Sequence, residues 1–354
     1  MYLKNTWYAA LWSQDLKPGE LIHRRFLDAP VLMFRNEDGE PSAILDVCPH
    51  RGAPLHLGQL KPGGKVRCAY HGLEFDGMGQ CVHNPHSAGE VPRAMKTASF
   101  TLHEKHTMLW IWMGEEPANP ALIPDFSLMD DGAKGIVHAR SYLTIAANYM
   151  LIVENLLDLS HANYLHEGIL GFPEHSAAAV KVEQDGTSVI CHRKMGNVPV
   201  AKLHDLLFRR DGQKVDMWNK ITWDVPACLK LLHGFSQPGA SEKEAFEFTA
   251  VHFLTPETEG TTHYYYGIAR APAKVDEDDV KEVVAETRKY VFENQDRVIL
   301  EAQQKNLSEM KKFAPVLLHI DGASIRMRRI MSRLMADEAA RRGNERDVPK
   351  VGIV

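Results

Sequence analysis

Two short runs, Cys48-Pro49-His50-Arg51-Gly52 and Cys68-Ala69-Tyr70-His71-Gly72, each join a thiol to an imidazole, with 17 residues between the two Cys-His pairs. Two thiolates on one iron and two neutral imidazoles on the other make the ligand set of a Rieske-type 2Fe-2S cluster. Fewer anionic ligands raise the potential, to roughly −150 to +300 mV against about −400 mV for plant-type ferredoxins. Such a centre takes electrons from a donor and passes them on. The competing reading is a zinc site, since two Cys and two His also close a tetrahedron around zinc. Zinc knuckles more often pair Cys with Cys and His with His, whereas each loop here carries one of each. Pro49 and the glycines that follow each histidine suit two tight loops over a cluster. Cys81, His83 and His86 also look like ligands but lack a fourth partner at suitable spacing. They follow the turn Asp76–Gly79 and read as a hairpin strand carrying surface histidines.

A one-electron relay needs somewhere to deliver. The stretch Glu154–His166 places Asn155, Asp158, His161 and His166 inside an apolar run that reads as a helix from about residue 148 to 165. Polar groups buried there must be paired or ligated. Asp158 and His161 share a helix face, but His166 lies five residues beyond His161 and so about 140° away at roughly 100° per residue. The helix must therefore widen or end before His166, and Gly168 fits such an ending. Two neutral His and one carboxylate form the facial triad of mononuclear non-haem Fe(II) sites. The third ligand must come from elsewhere. In a long C-terminal helix that opens at Asp276–Asp279 and runs to about Met310, Asp296 shares a side with Phe292 and Ile299 and is the chosen carboxylate, with Glu293 as the alternative. Taken singly, the histidines also fit as hydrogen-bonded core residues and Asp296 as a solvated helix charge; the upstream Cys-His loops favour the metal.

At 354 residues and 44% hydrophobic content, the chain is long enough for two cores. A formal charge of −5 without a dense basic stretch argues against nucleic-acid binding. The Arg326–Arg333 cluster reads as a solvated helix face. No apolar run approaches the roughly 18 residues of a membrane span, and Met1–Trp7 lacks a signal peptide's apolar core, so a cytoplasmic protein is expected. Cys81, Cys191 and Cys228 are left as free thiols.

Short β-rich runs (30–34, 43–47, 65–68, 108–113) punctuated by turn residues make residues 1–120 a small antiparallel β domain. Pro117, Pro120 and Pro124 mark its exit. Residues 121–354 read helix, strands (188–193, 220–225, 229–233, 246–254, 261–268), helix, which predicts an α+β domain with helices over one face of an antiparallel sheet. No GxGxxG, Walker A loop or GxSxG elbow is present, so nicotinamide and flavin chemistry must sit on another protein. Asn219, near Trp218 and Trp223, and His252 suit the wall of a substrate pocket. Lys230, between Leu229 and Leu231, would pair there with a carboxylate or sulfonate, or else point to water from a strand edge.

Nearly the whole chain resembles the α subunit of Rieske non-haem iron oxygenases, and within them the vanillate and dicamba O-demethylase branch. The resemblance rests on Lys4–Tyr8, Cys48–Leu55, Tyr70–Leu73, Cys81–His86, Asn155–His161 and Leu254–Thr258. It implies Cys48, His50, Cys68 and His71 as cluster ligands, His161, His166 and Asp296 as Fe(II) ligands, and Asp158, with Asn155 beside it, as catalytic polar groups. It further implies a homotrimer in which Asp158 hydrogen-bonds His161 in its own subunit and His71 of a neighbour. The implied reaction is O2-dependent demethylation of a methoxylated aromatic acid to a phenol and formaldehyde. Electrons would come from NADH through a reductase with flavin and a plant-type 2Fe-2S centre. Hydroxylation of an aryl methyl group or ring on an aryl carboxylate or sulfonate is the alternative within this chemistry. A non-catalytic Rieske electron carrier is the alternative outside it.

Overall fold

The computed structural model describes residues 2–130, 137–270, 277–310 and 312–346. The chain forms two compact units, one of Lys4–Asp131 with Thr255–Thr262, the other of Met1–Leu3, Gly132–Leu254 and His263–Val354.

The first unit is antiparallel β. Its strands are β1 (Trp7–Trp12), β2 (Leu21–Phe26), β3 (Ala29–Arg35), β4 (Pro41–Leu45), β5 (Gln59–Lys61), β6 (Lys65–Arg67), β7 (Glu74–Phe75), β8 (Cys81–His83), β9 (Ser99–Lys105) and β10 (Met108–Trp112). A six-stranded sheet runs β1-β10-β9-β4-β3-β2 and a four-stranded one β5-β6-β7-β8. The paired strands β1 and β10 are apolar throughout because every residue in them is buried, so neither shows in-out alternation. Leu32, Phe34 and Ile44 share a core with Val66, Leu73 and Phe75, and Cys48 and Cys68 belong to that core. The run Leu254–Thr258 has a clear local task. Thr255 Oγ1 donates to the Ala9 carbonyl at 2.6 Å, and the Leu27 and Asp28 amides donate to the carbonyls of Pro256 and Glu257.

The second unit comprises β11 (Val137–Ile145), α1 (Tyr149–Leu157), β12 (Val180–Asp185), β13 (Ser188–Val198), α2 (Lys202–Phe208), β14 (Val215–Asp224), β15 (Cys228–Ser236), α3 (Glu277–Tyr290), α4 (Arg297–Glu309), α5 (Gly322–Arg346) and, apart from the Thr255–Thr262 end assigned to the first unit, β16 (Phe246–Thr258) and β17 (Thr261–Arg270). Its seven-stranded sheet has the order β11-β17-β16-β15-β14-β13-β12. Cross-strand register builds rows on one face. Val189, Trp223, Leu229 and His252 form one, Cys191, Ile221, Leu231 and Ala250 the next, and Arg193, Asn219, His233 and Phe248 the third. The fold is thus mixed, with antiparallel sheets in both units and all five α-helices described lying in the second.

Three expectations are corrected. The run expected as a helix to residue 165 stops at Leu157. Asp158 leaves helical geometry at φ −83°, ψ 97°, and its Oδ1 accepts from Ser160 N at 2.8 Å, so the side chain competes for the backbone and ends the helix. The long helix expected to Met310 is α3 and α4 joined by a π turn, Val291–Asp296; Asp276 lies outside the described residues. The arginines of α5 do more than face water. Arg326 donates to the Val182 carbonyl, Arg328 pairs with Glu154, and Ala323, Met327, Ile330 and Met331 are buried between them. No described helix is long and apolar enough to cross a membrane.

Gly58 sits where a Cβ would meet the Arg67 carbonyl oxygen at 2.0 Å, one residue before β5 and opposite the strand that leads into Cys68. Gly58→Ala is expected to force β5 from β6 at a cost of about 1–3 kcal/mol. A lower unfolding temperature together with lower acid-labile sulfide in the purified protein would show it; an unchanged melt would mean the turn relaxes freely.

Candidate metal centres and the adjoining cavity

The two Cys-His loops are folded alike. Cys48 N donates to the Ala53 carbonyl and Gly52 N to that of Cys48, both at 2.8 Å; Cys68 N donates to Leu73 at 2.8 Å and Gly72 N to Cys68 at 3.0 Å. Gly52 and Gly72 close the loops at φ +71° and +73°, a left-handed backbone that glycine adopts without strain. The cysteines point inward, each 2% exposed, and Cys68 is the hydrogen-bonding neighbour of the Cys48 thiol. Burial pushes the Cys48 pKa up, so a cation is needed to hold the thiolate there. His50 and His71 lie outward with ring centroids 4.6 Å apart. Two buried thiols beneath two adjacent imidazoles fit the iron–sulfur cluster that these residue types imply. His83 and His86 are exposed on and after β8, and Cys81 lies in that strand, as a hairpin requires. His86 nevertheless braces the second loop, Nε2 donating to the His71 carbonyl at 2.8 Å.

In the second unit the irregular backbone converges three ligand atoms. After Asp158 the chain makes a single 3₁₀ turn, His161–Asn163, and Asn163, fully buried, donates to Ser176 Oγ at 2.9 Å. His161 Nδ1 donates to the main-chain carbonyl of Asp158 at 2.5 Å. His166 Nδ1 donates to Gln295 Oε1 at 2.8 Å, and Gln295 Nε2 donates to the Leu165 carbonyl at 2.8 Å. With both ring protons on Nδ1, each Nε2 carries a lone pair. Asp296 Oδ1 lies 3.7 Å from His161 Nε2 and 3.2 Å from His166 Nε2, and the three ligand atoms fall within 4.8 Å of one another. His166 Nε2 is buried without a hydrogen bond, an orphan that a metal ion would satisfy. Burial lowers the His161 pKa, which favours the neutral ligand form. Asn155 Nδ2 donates to Asp296 Oδ1 at 3.3 Å. Glu293 is not among the gathered ligands. The π turn widens the helix so that consecutive residues, Gln295 and Asp296, address the two nitrogens of one ring.

The triad borders a cavity of about 100 Å³ over the three sheet rows. Asn219 and His252 line it. Lys230 does not. Strand residues alternate between faces, and Leu231 and His233 occupy the cavity side, so Lys230 falls on the other side of β15. The cavity also holds polar residues that the sequence did not single out, namely Arg193, His204, His233 and Arg288. Asn219 Nδ2 donates to His233 Nδ1, and Tyr264 and His252 Nδ1 are hydrogen-bonded, both pairs at 2.8 Å. A signal for Arg193 existed in the alternation Val189, Cys191, Arg193, Met195, all buried.

Paired Cys-His loops in one unit and a His-His-Asp triad beside an apolar cavity in the other together define an iron oxygenase fed by an electron relay. Residues 6–101 match the Rieske 2Fe-2S domain, and residues 145–337 match the vanillate O-demethylase oxygenase C-terminal domain. The chain is 34% identical to the oxygenase component of dicamba O-demethylase from Stenotrophomonas maltophilia, over 96% of this chain and 99% of that one. It is 33% identical to the toluene-4-sulfonate monooxygenase iron-sulfur subunit of Comamonas testosteroni, over 96% and 98%. Crystalline dicamba monooxygenase bound to 3,6-dichlorosalicylic acid superposes with a TM-score of 0.88 at 32% identity, covering 96% of this chain and 99% of that chain. This chain therefore belongs to the Rieske non-haem iron oxygenases.

Gln295 ties the π turn to the His166 segment through both its amide atoms. Gln295→Leu should lower iron affinity at the triad by about 10–100-fold while leaving the cluster in place. Metal analysis against visible absorption of the cluster separates the two; full mononuclear iron in the variant would remove the orienting role.

Proposed function

We propose that this chain is the oxygenase component of a two-component monooxygenase that O-demethylates a methoxylated, vanillate-like aromatic acid to a phenol and formaldehyde. The observation that carries this reading is the convergence of His161, His166 and Asp296 at the edge of the cavity, which an electron carrier would not need. In it, residues 1–120 hold the 2Fe-2S cluster through Cys48, His50, Cys68 and His71, and residues 121–354 hold Fe(II) through the triad. Iron there supplies the O2 chemistry: a methoxy C–H bond is hydroxylated, the hemiacetal collapses to phenol and formaldehyde, and the second oxygen atom leaves as water after two electrons and two protons are added. Electrons come from NADH through a separate reductase carrying flavin and a plant-type 2Fe-2S centre. The names of the dicamba and vanillate relatives support the methoxy arene, and that of the sulfonate relative supports hydroxylation as the competing outcome. Cys81, Cys191 and Cys228, the three cysteines not given to the cluster, are unbridged and suit the reducing cytoplasm.

Within this reading Asn155 steadies Asp296, and Asp158 links the two centres of neighbouring subunits in a homotrimer. Two observations support that role for Asp158. Its carbonyl already orients His161, and its carboxylate is engaged only through Oδ1, by Ser160, among the described residues. Oδ2 is left to meet a partner's imidazole, and the outward His50 and His71 suit such a contact.

Anaerobically reduced, iron-replete protein mixed with vanillate, veratrate, dicamba or toluenesulfonate and exposed to O2 tests the reaction. Formaldehyde from a methoxy acid is the expected result, whereas hydroxylated product without formaldehyde would move the protein to the hydroxylase reading. Asp158→Asn is expected to keep both metals and to slow product formation by about 10–100-fold. Normal turnover in that variant would end the bridging role.

A further inference from the structure

Arg193 on β13 and Arg288 on α3 both line the cavity and are 5% and 7% exposed. Arg193 Nε and one terminal nitrogen of Arg288 are buried without a hydrogen bond, and among the described residues no carboxylate lies within ion-pair distance of either guanidinium. Asp158 reaches Arg193 only through space. A guanidinium does not give up its proton in a protein, and a buried charge left unmatched is strongly unfavourable. The match has to come from what fills the cavity.

The histidines of the cavity do not share this charge. Burial lowers the pKa of His204 and of His252 to about 3 and that of His233 well below its usual value, so all three stay neutral and serve as hydrogen-bonding groups. The two arginines also mark different poles. Arg193 influences His175, His204 and His233, whereas Arg288 influences His252, Tyr264 and Tyr266 and lies 5.0 Å from the centre of the Tyr266 ring. Tyr266, against which Arg288 lies, belongs to β17 and Arg193 to β13, strands separated in the sheet by β16, β15 and β14. Leu231, Ala250 and Phe248 pave the face between them, and Phe292 also lines the cavity.

We infer that Arg193 and Arg288 are two separate substrate anchors and that the substrate is an aromatic ring bearing two acidic groups, carboxylate or sulfonate, one for each guanidinium. This rests on the oxygenase reading above and narrows its substrate class from an aromatic acid to an aromatic diacid. Charge-assisted, bidentate pairing suits planar guanidinium to either acid, and the apolar floor takes the ring.

The test is anaerobic titration calorimetry on the iron-loaded holoenzyme with three probes: 2-methoxyterephthalate, and the two monoacids made by deleting either carboxylate, 2-methoxybenzoate and 3-methoxybenzoate. The diacid should bind at least ~tenfold more tightly than either monoacid. Arg193→Gln and Arg288→Gln should each abolish that preference, and Arg288→Lys should restore part of it, which a variant that merely misfolds would not do. Thermal melts establish that each variant is folded. Equal affinity for diacid and monoacids, no measurable binding of the diacid, or a diacid preference that survives both substitutions would overturn the inference. Formaldehyde is assayed in parallel on the same protein after it is reduced, mixed with each probe and exposed to O2. Preferential diacid binding without formaldehyde would support the anchors and sink the demethylase reading; formaldehyde from monoacids with no diacid preference would do the reverse.

Discussion

Two imidazole nitrogens have to be kept bare, close together and beside a carboxylate in a dry interior, and the catalytic unit is arranged around that requirement. A buried nitrogen with a free lone pair is costly unless something accepts it, and a regular helix does not bring residues 161 and 166 to one point. The chain meets the first difficulty by giving each ring proton a fixed acceptor, the Asp158 carbonyl for His161 and Gln295 Oε1 for His166. It meets the second by breaking both helices involved. α1 stops at an Asx turn, and the helix opposite widens by one π turn so that Gln295 and Asp296 reach opposite nitrogens of His166. Both irregularities follow from the site's demand for convergence.

What was legible in the sequence divides along the same line. The Cys-His loops, the two histidines and the chemistry they imply could be read because ligand type and local spacing carry the signal. The β-rich runs at 30–34, 43–47, 65–68 and 108–113 and the strand-like stretches from 188 to 268 marked the sheets, whereas β1, apolar at every position, was not read as a strand. The helix ending after Leu157 was missed although Asp158-Leu159-Ser160 carries an Asx-turn signal, because the apolar pattern continues beyond it. A π turn leaves no mark in a 3.6-residue periodicity, so Gln295 looked like any polar helix residue. Lys230 was ambiguous for a different reason. Its run, Cys228-Leu229-Lys230-Leu231-Leu232, does not alternate, and only the pairing of β15 with its neighbours decides which face it takes.

In the proposed function the His-His-Asp triad would not choose the substrate; the charge distribution of the cavity would. Rows of Leu, Ile, Ala and Phe side chains offer a flat apolar seat that any arene would fit. The neutral histidines add hydrogen bonds without charge. That leaves the buried guanidiniums as the groups with most to gain from one ligand over another, because an unmatched buried charge penalises every neutral occupant equally. Selectivity for acids would then come from relief of a cost already built into the folded protein.

In the proposed reading Asp158 would serve two centres without compromising either. Its main chain does the local work, ending α1 and orienting His161 through the carbonyl, which any residue with the same backbone could supply. Its side chain is held by Ser160 at a single oxygen. Because orientation of the iron ligand depends on the peptide and the proposed relay on the carboxylate, the two functions are separable by chemistry although they share a residue. An acid is suited to the second role, since Oδ2 accepts a proton-bearing imidazole and carries the negative charge that an oxidised cluster's histidines favour.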